Sequence, residues 1–573
     1  MHKRSFLDSI LAFFASSQAG AVARRFFRAV NDADGVQARG LEKLIRRSAP
    51  SRFGRSHGFD RIRTYEDFVR QVPVRSYSDL SPFIEEVREG RVDALFAPGE
   101  RILMFALTSG TTDQPKYIPI TREVLAECRA GWNIWGLKAI MDHPASLLRH
   151  ILQVTSSMHD HAAPSGVPCG AITGLLAATQ KKLVRRYYTS PPDVAAIADP
   201  TAKYYTIMRL AMPRDVSWAV TANPATLLLL ARTGNEHKER LIRDIHDGTL
   251  WSELPVPAAV RSALRPRLKA DSQSAARLAS IASRTGTLYP KDYWRMDFLA
   301  HWTGGTMGLY RAQFPRFFGD IPVRDIGLIA SEGRMSIPIA DHTASGILAV
   351  TSHFYEFIPT EEYGTPGPTV LRMHEIREQG EYFLLLTNAS GLFRYDLGDR
   401  VRVTGRIGQA PLIEFLSRDA HTSSMTGEKL TEDQVVQAMQ QVCTRAAESN
   451  GALEADREQI VDFVLAPRWG EVPYYRLYVE AGAIRTHPNL AAEMDAALAR
   501  INNEYESKRK TFRLGAVELA VLPDGELVRR DRELRMKRSR TSEQFKHQYL
   551  QPSPGLDGEL EAVEIPREKV RTT

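Results

Sequence analysis

Residues 100–116, ERILMFALTSGTTDQPK, decide which fold class this chain belongs to. Residues 100–107 are mostly apolar, which predicts a buried strand. A run of hydroxyl side chains around Gly110 follows at once and ends at Lys116. Backbone N–H groups beside a glycine, hydroxyls and a lysine are the donors that a polyphosphate needs, so the segment predicts a phosphate-binding loop. It lacks the GxxxxGK[ST] pattern of a Walker A loop, and a plain polar loop between a strand and a helix stays open as the alternative.

The composition is that of an ordinary globular protein. The chain has 573 residues, of which 43% are hydrophobic and 25% charged. At roughly 150 residues per domain, this length indicates about three or four domains or subdomains. Disordered, collagen-like and disulfide-scaffold classes are excluded. Residues 529–540 carry seven basic and two acidic side chains of a chain whose formal charge is +7, but no aromatic residues interleave, so we expect no nucleic-acid partner.

Cysteine usage and hydropathy indicate a cytoplasmic protein. Cys128, Cys169 and Cys443 are widely separated and form no CxxC pair, so neither a zinc cluster nor a disulfide framework is predicted. No stretch is long and apolar enough to predict a membrane span. The first residues predict an amphipathic surface helix rather than a signal peptide, because the apolar run is short and Asp8 interrupts it.

Two further segments carry side chains that suit a nucleotide. Ser331 and Glu332 follow the apolar residues 326–329, and a carboxylate near phosphates can hold a magnesium ion. Asp399 ends FRYDLGD at residues 393–399, where a carboxylate beside a tight glycine turn can accept hydrogen bonds from both hydroxyls of a ribose. Taken singly, a surface glutamate and a structural turn remain the alternatives.

The pattern changes twice along the chain. Short β-rich runs with turn signals between them follow from residue 346, which predicts an antiparallel meander or barrel over 346–417. A break at 418–424 precedes a capping box formed by Thr431 and Gln434. From about 425 the order helix, two strands, helix and strand predicts a separate α+β domain, in which one helix presents the apolar residues Leu490, Met494, Leu498, Ile501 and Tyr505.

Together, in this order, the three segments resemble the signatures of the adenylate-forming enzymes. The chain is most similar to the Gretchen Hagen three family of auxin-responsive acyl-acid amido synthetases. The words that carry the resemblance are LTSGTTDQPKYIPIT, HWTGG, IASEG, FYEFIP, LLLTNASGLFRYDLGDRVRVTG, GEKLTE and EQFKHQY, spread over roughly residues 30–550.

The resemblance implies an α/β plus α+β fold. A large N-terminal adenylate-forming domain (residues 1–418, βαβ subdomains plus a small β-barrel-like part at 346–417) would be followed by a hinge at 419–424. A smaller, mobile C-terminal α+β lid domain would occupy residues 425–573. Substrates would be ATP, a small carboxylic acid and an amino acid, with Mg²⁺ as the metal, and the protein would be a monomer.

The resemblance also implies roles for individual residues. Around the nucleotide it places Ser109, Gly110, Thr111, Thr112, Lys116, Ser331, Glu332, Asp399 and Arg418. Glu332 would lie near magnesium and count as catalytic together with Lys429 and Lys546. Two positions differ from relatives. Leu328 stands where an aromatic residue usually stacks on adenine, and His547 and Gln548 follow Lys546 where the plant proteins have Pro-Arg.

The implied reaction is condensation of a carboxylic acid with ATP, followed by transfer of the acyl group to an amino acid. Two alternatives stay open. The acyl group could pass to coenzyme A or a carrier thiol, or the scaffold could be a non-catalytic small-molecule binding protein. The identities of the acid and the amino acid cannot be deduced from the sequence.

Overall fold

The computed structural model describes residues 20–108, 115–305, 313–418, 422–426, 428, 430–449, 460, 462–470, 472–510, 513–538, 547–558 and 560. The chain forms two compact units. The first consists mainly of Met1–Gly304 and Gln313–Phe415, and the second mainly of Leu416–Ser539 and Phe545–Thr573. Within the described residues, no helix is long and apolar enough to cross a membrane.

The first unit contains the strands β1 (Met104–Thr108), β2 (Lys116–Ile120), β3 (His150–Gln153), β4 (His161–Ala162), β5 (Pro168–Gly170), β6 (Val216–Val220), β7 (Phe298–Ala300), β8 (Val323–Arg324), β9 (Ile329–Ala330), β10 (Gly333–Arg334), β11 (Ser336–Ile337), β12 (Gly346–Leu348), β13 (Phe354–Pro359), β14 (Leu371–Arg372), β15 (Glu381–Thr387), β16 (Tyr395–Ile407) and β17 (Ala410–Arg418), whose end belongs to the second unit. Its helices are α1 (Ala33–Ser48), α2 (Arg52–Ser56), α3 (Tyr65–Gln71), α4 (Tyr77–Arg88), α5 (Arg122–Asp142), α6 (Ile172–Ala178), α7 (Lys182–Arg185), α8 (Pro200–Ala211), α9 (Pro224–Glu236), α10 (Lys238–Asp247), α11 (Ala258–Leu264), α12 (Ser272–Thr285), α13 (Pro290–Tyr293) and α14 (Phe314–Phe318).

A parallel sheet forms one layer of this unit. Its strands β3, β6, β7 and β8 are neighbours in chain order. All five residues of β6 (VSWAV) are buried, as expected for a parallel strand covered on both faces. The α/β class predicted from the sequence is therefore present.

The β-rich region forms a largely antiparallel sheet of seven strands in the order β11-β12-β17-β16-β15-β13-β14. In this described part of the chain the edge strands β11 and β14 are not paired with each other, so the predicted barrel-like part is an open sheet. The edge strands are only two residues long, too short to supply the staggered ladder that closes a barrel.

The second unit contains β18 (Thr422–Ser423), β19 (Leu430–Thr431), β20 (Phe463–Arg468), β21 (Tyr474–Glu480) and β22 (Glu518–Leu522), with helices α15 (Glu432–Ser449), α16 (Ala481–Thr486), α17 (Leu490–Ile501), α18 (Asn503–Lys510) and α19 (Glu526–Arg538). Strands β20, β21 and β22 form one sheet. The predicted capping box is confirmed, because the side chain of Thr431 accepts from the Gln434 N–H at 3.3 Å and that of Gln434 accepts from the Thr431 N–H at 3.1 Å.

One predicted helix of this unit is two helices. Leu490, Met494, Leu498 and Tyr505 are all fully buried, as the apolar spacing predicted. The helix nevertheless ends at Ile501, since Asn502 takes an extended conformation and its Oδ1 accepts from the Tyr505 N–H at 2.9 Å. Asn502 therefore begins α18 as an N-cap residue, and a side-chain cap of this kind competes with helix continuation.

Candidate active site

The hydroxyl-rich loop joins two antiparallel strands. Strands β1 and β2 pair so that Thr108 lies opposite Lys116. The two residues that flank the hydroxyl-rich segment are therefore adjacent. Ser109, Gly110, Thr111 and Thr112 lie outside the described residues. The amino group of Lys116 is 3.4 Å from the hydroxyl of Tyr395, at the start of β16. The first and third sequence signatures are therefore in direct contact.

The second signature is the turn of the β9–β10 hairpin. Ser331 and Glu332 form this turn, and each is 4% exposed. The Ser331 hydroxyl donates to the Leu107 carbonyl at 3.0 Å, which fixes the turn to the end of β1. Gly333 follows with a φ of +154°, and a Cβ there would lie 2.3 Å from Nε2 of His353. The turn packs too tightly against that ring for any residue but glycine.

A buried asparagine connects the second signature to the third. Asn388 donates from Nδ2 to the Glu332 carbonyl at 2.7 Å. Its Oδ1 accepts from the backbone N–H groups of Ser390 at 2.9 Å and Leu392 at 3.4 Å, so the same side chain holds the turn between β15 and β16. The position of Glu332 therefore depends on the fold of the segment TNASGLFRY.

A buried ion pair anchors the residue before β16. Nε of Arg394 is 3.0 Å from both carboxylate oxygens of Glu356 on β13, and its Nη1 donates to the Val72 carbonyl at 2.9 Å. The Tyr65 hydroxyl donates to the same glutamate at 2.7 Å. Glu356 and Arg394 belong to the words FYEFIP and GLFRY, so these words encode a structural clamp that positions Tyr395.

Asp399 lies in a bulge of β16. The register between β15 and β16 slips here, because Phe383 pairs with Arg400 whereas Leu385 pairs with Asp396. Gly398 has a φ of +67° within the bulge. Bulges commonly re-aim a side chain next to a functional site, and Asp399 is 1% exposed.

The carboxylate of Asp396 shows that these groups share one electrostatic environment. Burial, reinforced by the charge of Asp399, raises the pKa of Asp396, while hydrogen bonds from Gly398 and Tyr363 and the charge of Lys116 offset part of that rise. The Tyr363 hydroxyl donates to Asp396 at 2.8 Å. Lys116 and Asp399 thus both act on one carboxylate.

Leu328, which stands where relatives usually have an adenine-stacking aromatic residue, is held in place by its neighbours. Leu328 is partly buried against the core, and its N–H donates to the Ser336 hydroxyl at 2.9 Å. The aromatic side chain bonded beside it is Trp302, whose indole N–H donates to the Gly327 carbonyl at 2.9 Å. In the part of the chain that the structure describes, no cluster of three or more His, Cys, Asp or Glu side chains could hold a metal ion by itself.

Comparison with known proteins identifies the family. Residues 22–323 match the GH3 family N-terminal domain, residues 346–418 its central domain and residues 433–554 its C-terminal domain. The chain belongs to the GH3 family. This confirms the family predicted from the sequence.

Relatives of this GH3 chain extend over nearly its whole length. The jasmonoyl–L-amino acid synthetase JAR6 of Nicotiana attenuata is 24% identical over 530 residues, which cover 88% of this chain and 89% of that protein. The indole-3-acetic acid-amido synthetase GH3.10 of Arabidopsis thaliana is 23% identical over 494 residues, covering 80% and 81%. The solved structure of AtGH3.15 acyl acid amido synthetase in complex with 2,4-DB has a TM-score of 0.81 at 17% identity, covering 96% and 97%. The fold class predicted from the sequence is confirmed by this likeness.

The remaining predicted residues of the GH3 chain lie in the second unit. Arg418 ends β17, and Lys429 and Lys546 lie outside the described residues. Glu428, the neighbour of Lys429, accepts from the N–H groups of Met425 at 2.7 Å and Thr426 at 2.8 Å, so it holds the turn between β18 and β19. His547, the neighbour of Lys546, is buried and bonded to Asp531 and the Phe463 carbonyl.

Sequence reasoning missed four residues that build this site. Asn388, Arg394, Tyr395 and Asp396 all stand in the quoted word TNASGLFRYDLGD, yet only Asp399 was singled out from it. The buried asparagine before a glycine turn was the available signal, because such a side chain commonly bonds the backbone two residues on. The partners across the fold, Glu332 and Glu356, gave no local signal.

Proposed function

We propose that this GH3 protein is an ATP-dependent acyl-acid amido synthetase. It adenylates a small carboxylic acid and transfers the acyl group to an amino acid. The relatives named above are amido synthetases of jasmonate and indole-3-acetate, and the family match covers most of the chain. The proposed setting is a cytoplasmic monomer.

The contact network among the three signatures is the observation that supports this function best. Ser331 is bonded to the end of β1, Asn388 to Glu332, and Lys116 to Tyr395. A cation, hydroxyls and two buried carboxylates therefore line one region of the first unit. That set matches a nucleotide, since phosphates need donors, whereas ribose hydroxyls and magnesium need carboxylate oxygens.

In the first half-reaction, a carboxylate oxygen of the acid attacks the α-phosphate of ATP, the bond to pyrophosphate breaks, and an acyl-adenylate forms. Negative charge builds up at the phosphates, and we assign Lys116 together with Ser109, Thr111 and Thr112 to their stabilisation. Gly110 would let the backbone approach them, and Asp399 would hold the ribose. Ser331 would lie at the nucleotide.

Glu332 is the residue that fits a magnesium ion. Glu332 is buried, and its neighbour Ser331 is bonded to the Leu107 carbonyl of β1. Mg²⁺ is commonly held by one or two carboxylates together with substrate phosphates. When bound, the ion would neutralise phosphate charge.

In the second half-reaction, the neutral amino group of an amino acid attacks the acyl carbon, the bond to AMP breaks, and the nitrogen loses a proton. We assign Arg418, Lys429 and Lys546 of the second unit to the nucleotide and the reacting groups, with residues 419–424 as the hinge of a mobile lid. Residues 1–418 and 425–573 would be the moving domains.

Acid-dependent ATP–pyrophosphate exchange tests the first half-reaction. We expect exchange with at least one member of a panel of aryl, indolyl and fatty acids, and its loss in both Lys116→Ala and Asp399→Ala. Lys138→Ala is the matched control, because Lys138 pairs with Asp142 on α5 and the two side chains are 32% and 30% exposed. Circular dichroism should show all three variants folded.

The acceptor is tested by mass spectrometry after adding mixed amino acids or coenzyme A. An amide product supports the proposal, whereas a thioester instead would assign the protein to the thiol-transferring ligases. Absence of exchange with every acid in the panel would point to a non-catalytic binding protein.

A further inference from the structure

Arg334 is a buried cation that the proposed chemistry does not use. It lies on β10, two residues after Glu332, and is 2% exposed. Its side chain crosses α5 at Gly131, where a Cβ would lie 2.4 Å from Cδ of the arginine. A glycine in the middle of a helix is destabilising relative to alanine, and here it makes room for the arginine. The guanidinium stacks on Trp132, with Cζ 4.4 Å from the ring centroid.

Only one end of this guanidinium is bonded. Nη1 donates to the Ile326 carbonyl at 2.9 Å and to the Ser336 carbonyl at 3.3 Å. Nε and Nη2 are buried and have no hydrogen-bond partner among the residues that the structure describes. These two nitrogens form the edge of a guanidinium from which two N–H groups point in parallel, the geometry that matches both oxygens of a carboxylate.

No carboxylate of the described chain is paired with this edge. Asp325 is the acid that acts electrostatically on Arg334, but its oxygens already accept from Thr303 and from the Gly327 N–H. Burial lowers the pKa of Arg334 to about 10, so the side chain remains charged at neutral pH. A buried charge with unpaired donors is strongly unfavourable unless a partner arrives.

The surroundings favour an organic partner over a free anion. Trp132 and Trp135 lie edge to face with centroids 5.4 Å apart, and Trp135 lies 5.9 Å from Trp218. Trp132 and Trp135 belong to α5, which follows β2 after a single residue, and Trp218 belongs to β6. Arg334 belongs to the hairpin that carries Glu332. An apolar body with a carboxylate at its end would contact both the rings and the arginine.

We propose that Arg334 binds a second carboxylate of the acyl substrate, so that this protein prefers dicarboxylic acids. This inference rests on the proposed adenylation of a carboxylic acid. The carboxylate held by Arg334 is the non-reacting one, because a carboxylate bound through both oxygens to a buried arginine is not free to attack the α-phosphate. The apolar part of the acid would pack against Trp132.

Matched pairs of acids test this preference in the pyrophosphate exchange assay on the full chain. The pairs are terephthalate with 4-methylbenzoate, octanedioate with octanoate, and decanedioate with decanoate. We expect the kcat/KM of wild type for the diacid of at least one pair to exceed that for its monoacid by about ten- to a hundredfold, the effect of hydrogen bonds to a charged group. Arg334→Met should lose this preference while still activating the monoacid.

Two more variants distinguish the effect of the charge of Arg334 from that of its donor geometry and from a general loss of folding. Arg334→Lys keeps the charge but lacks the parallel donors, so it too should lose the preference, and it decides the question if Arg334→Met does not fold. Arg129→Met removes another arginine of α5, one that donates to the Thr179 carbonyl, and should keep the preference.

Three results would overturn the inference. Activation of monoacids without a diacid preference in any pair rejects it and leaves the proposed function intact. A diacid preference that persists in both Arg334 variants also rejects it. Absence of exchange with every acid removes the proposed function, and this inference with it.

Discussion

At the scale of single residues, the decisive feature of this fold is the buried pairing of charges from distant segments. Glu356 and Arg394 are 1% and 3% exposed and join β13 to the residue before β16. Removing one member of such a pair leaves an uncompensated buried charge, which is far more destabilising than losing an exposed pair.

Glu356→Gln should therefore lower the free energy of unfolding of the first unit by about 3–5 kcal/mol. Glu381→Gln on the neighbouring strand is the matched control, since Glu381 is 23% exposed and pairs with Arg402 on the sheet surface. It should cost at most about 1 kcal/mol. Urea denaturation measures both values, and equal losses would contradict a special role for the buried pair.

Glu127 on α5 should make stability depend on pH near neutrality. Burial raises the pKa of its carboxyl to about 8, and the charges of Lys43 and Arg47 offset only part of that rise. Because the folded state holds this proton more tightly than the unfolded state, the free energy of unfolding falls as pH rises from the unfolded pKa of about 4.3 to about 8. Nδ1 of His353 lies 3.7 Å away.

The effect of Glu127 can be measured apart from that of His353 between pH 6.5 and 8. Burial lowers the pKa of His353 to about 4, so this histidine gives the opposite slope only below its ordinary value of 6.5. Within the window we expect wild type to lose up to about 1.4 kcal/mol of stability per pH unit relative to Glu127→Gln. Parallel stability curves for the two proteins would contradict the assignment.

At the scale of elements, the site depends on turns that bond to one another. The side chain of Asn388 makes three hydrogen bonds within the described residues, one to the Glu332 turn and two within its own turn. The loss of a positioning contact of this kind shifts a catalytic group without removing it, and displacements of about 1 Å can cost about a hundredfold in rate.

Asn388→Ala should lower the kcat/KM for ATP in pyrophosphate exchange by about 10- to 100-fold. Asp271→Ala is the control for stability, because Asp271 caps α12 by accepting from the Ser274 N–H at 2.9 Å. That change should cost about 1 kcal/mol and leave exchange intact. An unchanged rate in Asn388→Ala would mean that the turn of Glu332 is held by other contacts.

Local patterns predicted elements well and their contacts poorly. The strand before Thr108, the Thr431–Gln434 cap and the buried face of Leu490, Met494 and Leu498 all depend on near neighbours in the sequence. The break at Asn502 was missed because a capping side chain does not interrupt apolar spacing.

The site itself was predicted only in part, for a related reason. Ser331 and Asp399 follow recognisable strands and turns in the sequence. Arg334 is buried although a charged side chain is usually exposed, and the space for it comes from Gly131 on a helix far away in the sequence. Contacts between segments hundreds of residues apart leave no periodic trace in the sequence.

At the scale of the whole molecule, the two units have separate hydrophobic cores. The core of the first unit includes Leu384 on β15, and that of the second includes Leu465 on β20. Units with cores of their own commonly unfold in separate transitions, and a single free energy of unfolding then does not describe the chain.

Differential scanning calorimetry should therefore show two transitions, and a pair of matched substitutions should assign them. Leu384 and Leu465 are both fully buried on strands, so Leu384→Ala and Leu465→Ala should each cost about 2–5 kcal/mol. Each change should lower the midpoint of one transition and leave the other in place. A nucleotide that binds the Lys116–Asp399 region should raise the transition that Leu384→Ala lowers. If both substitutions shift one common transition, the units unfold as a single cooperative body, and the prediction of two separate transitions is wrong.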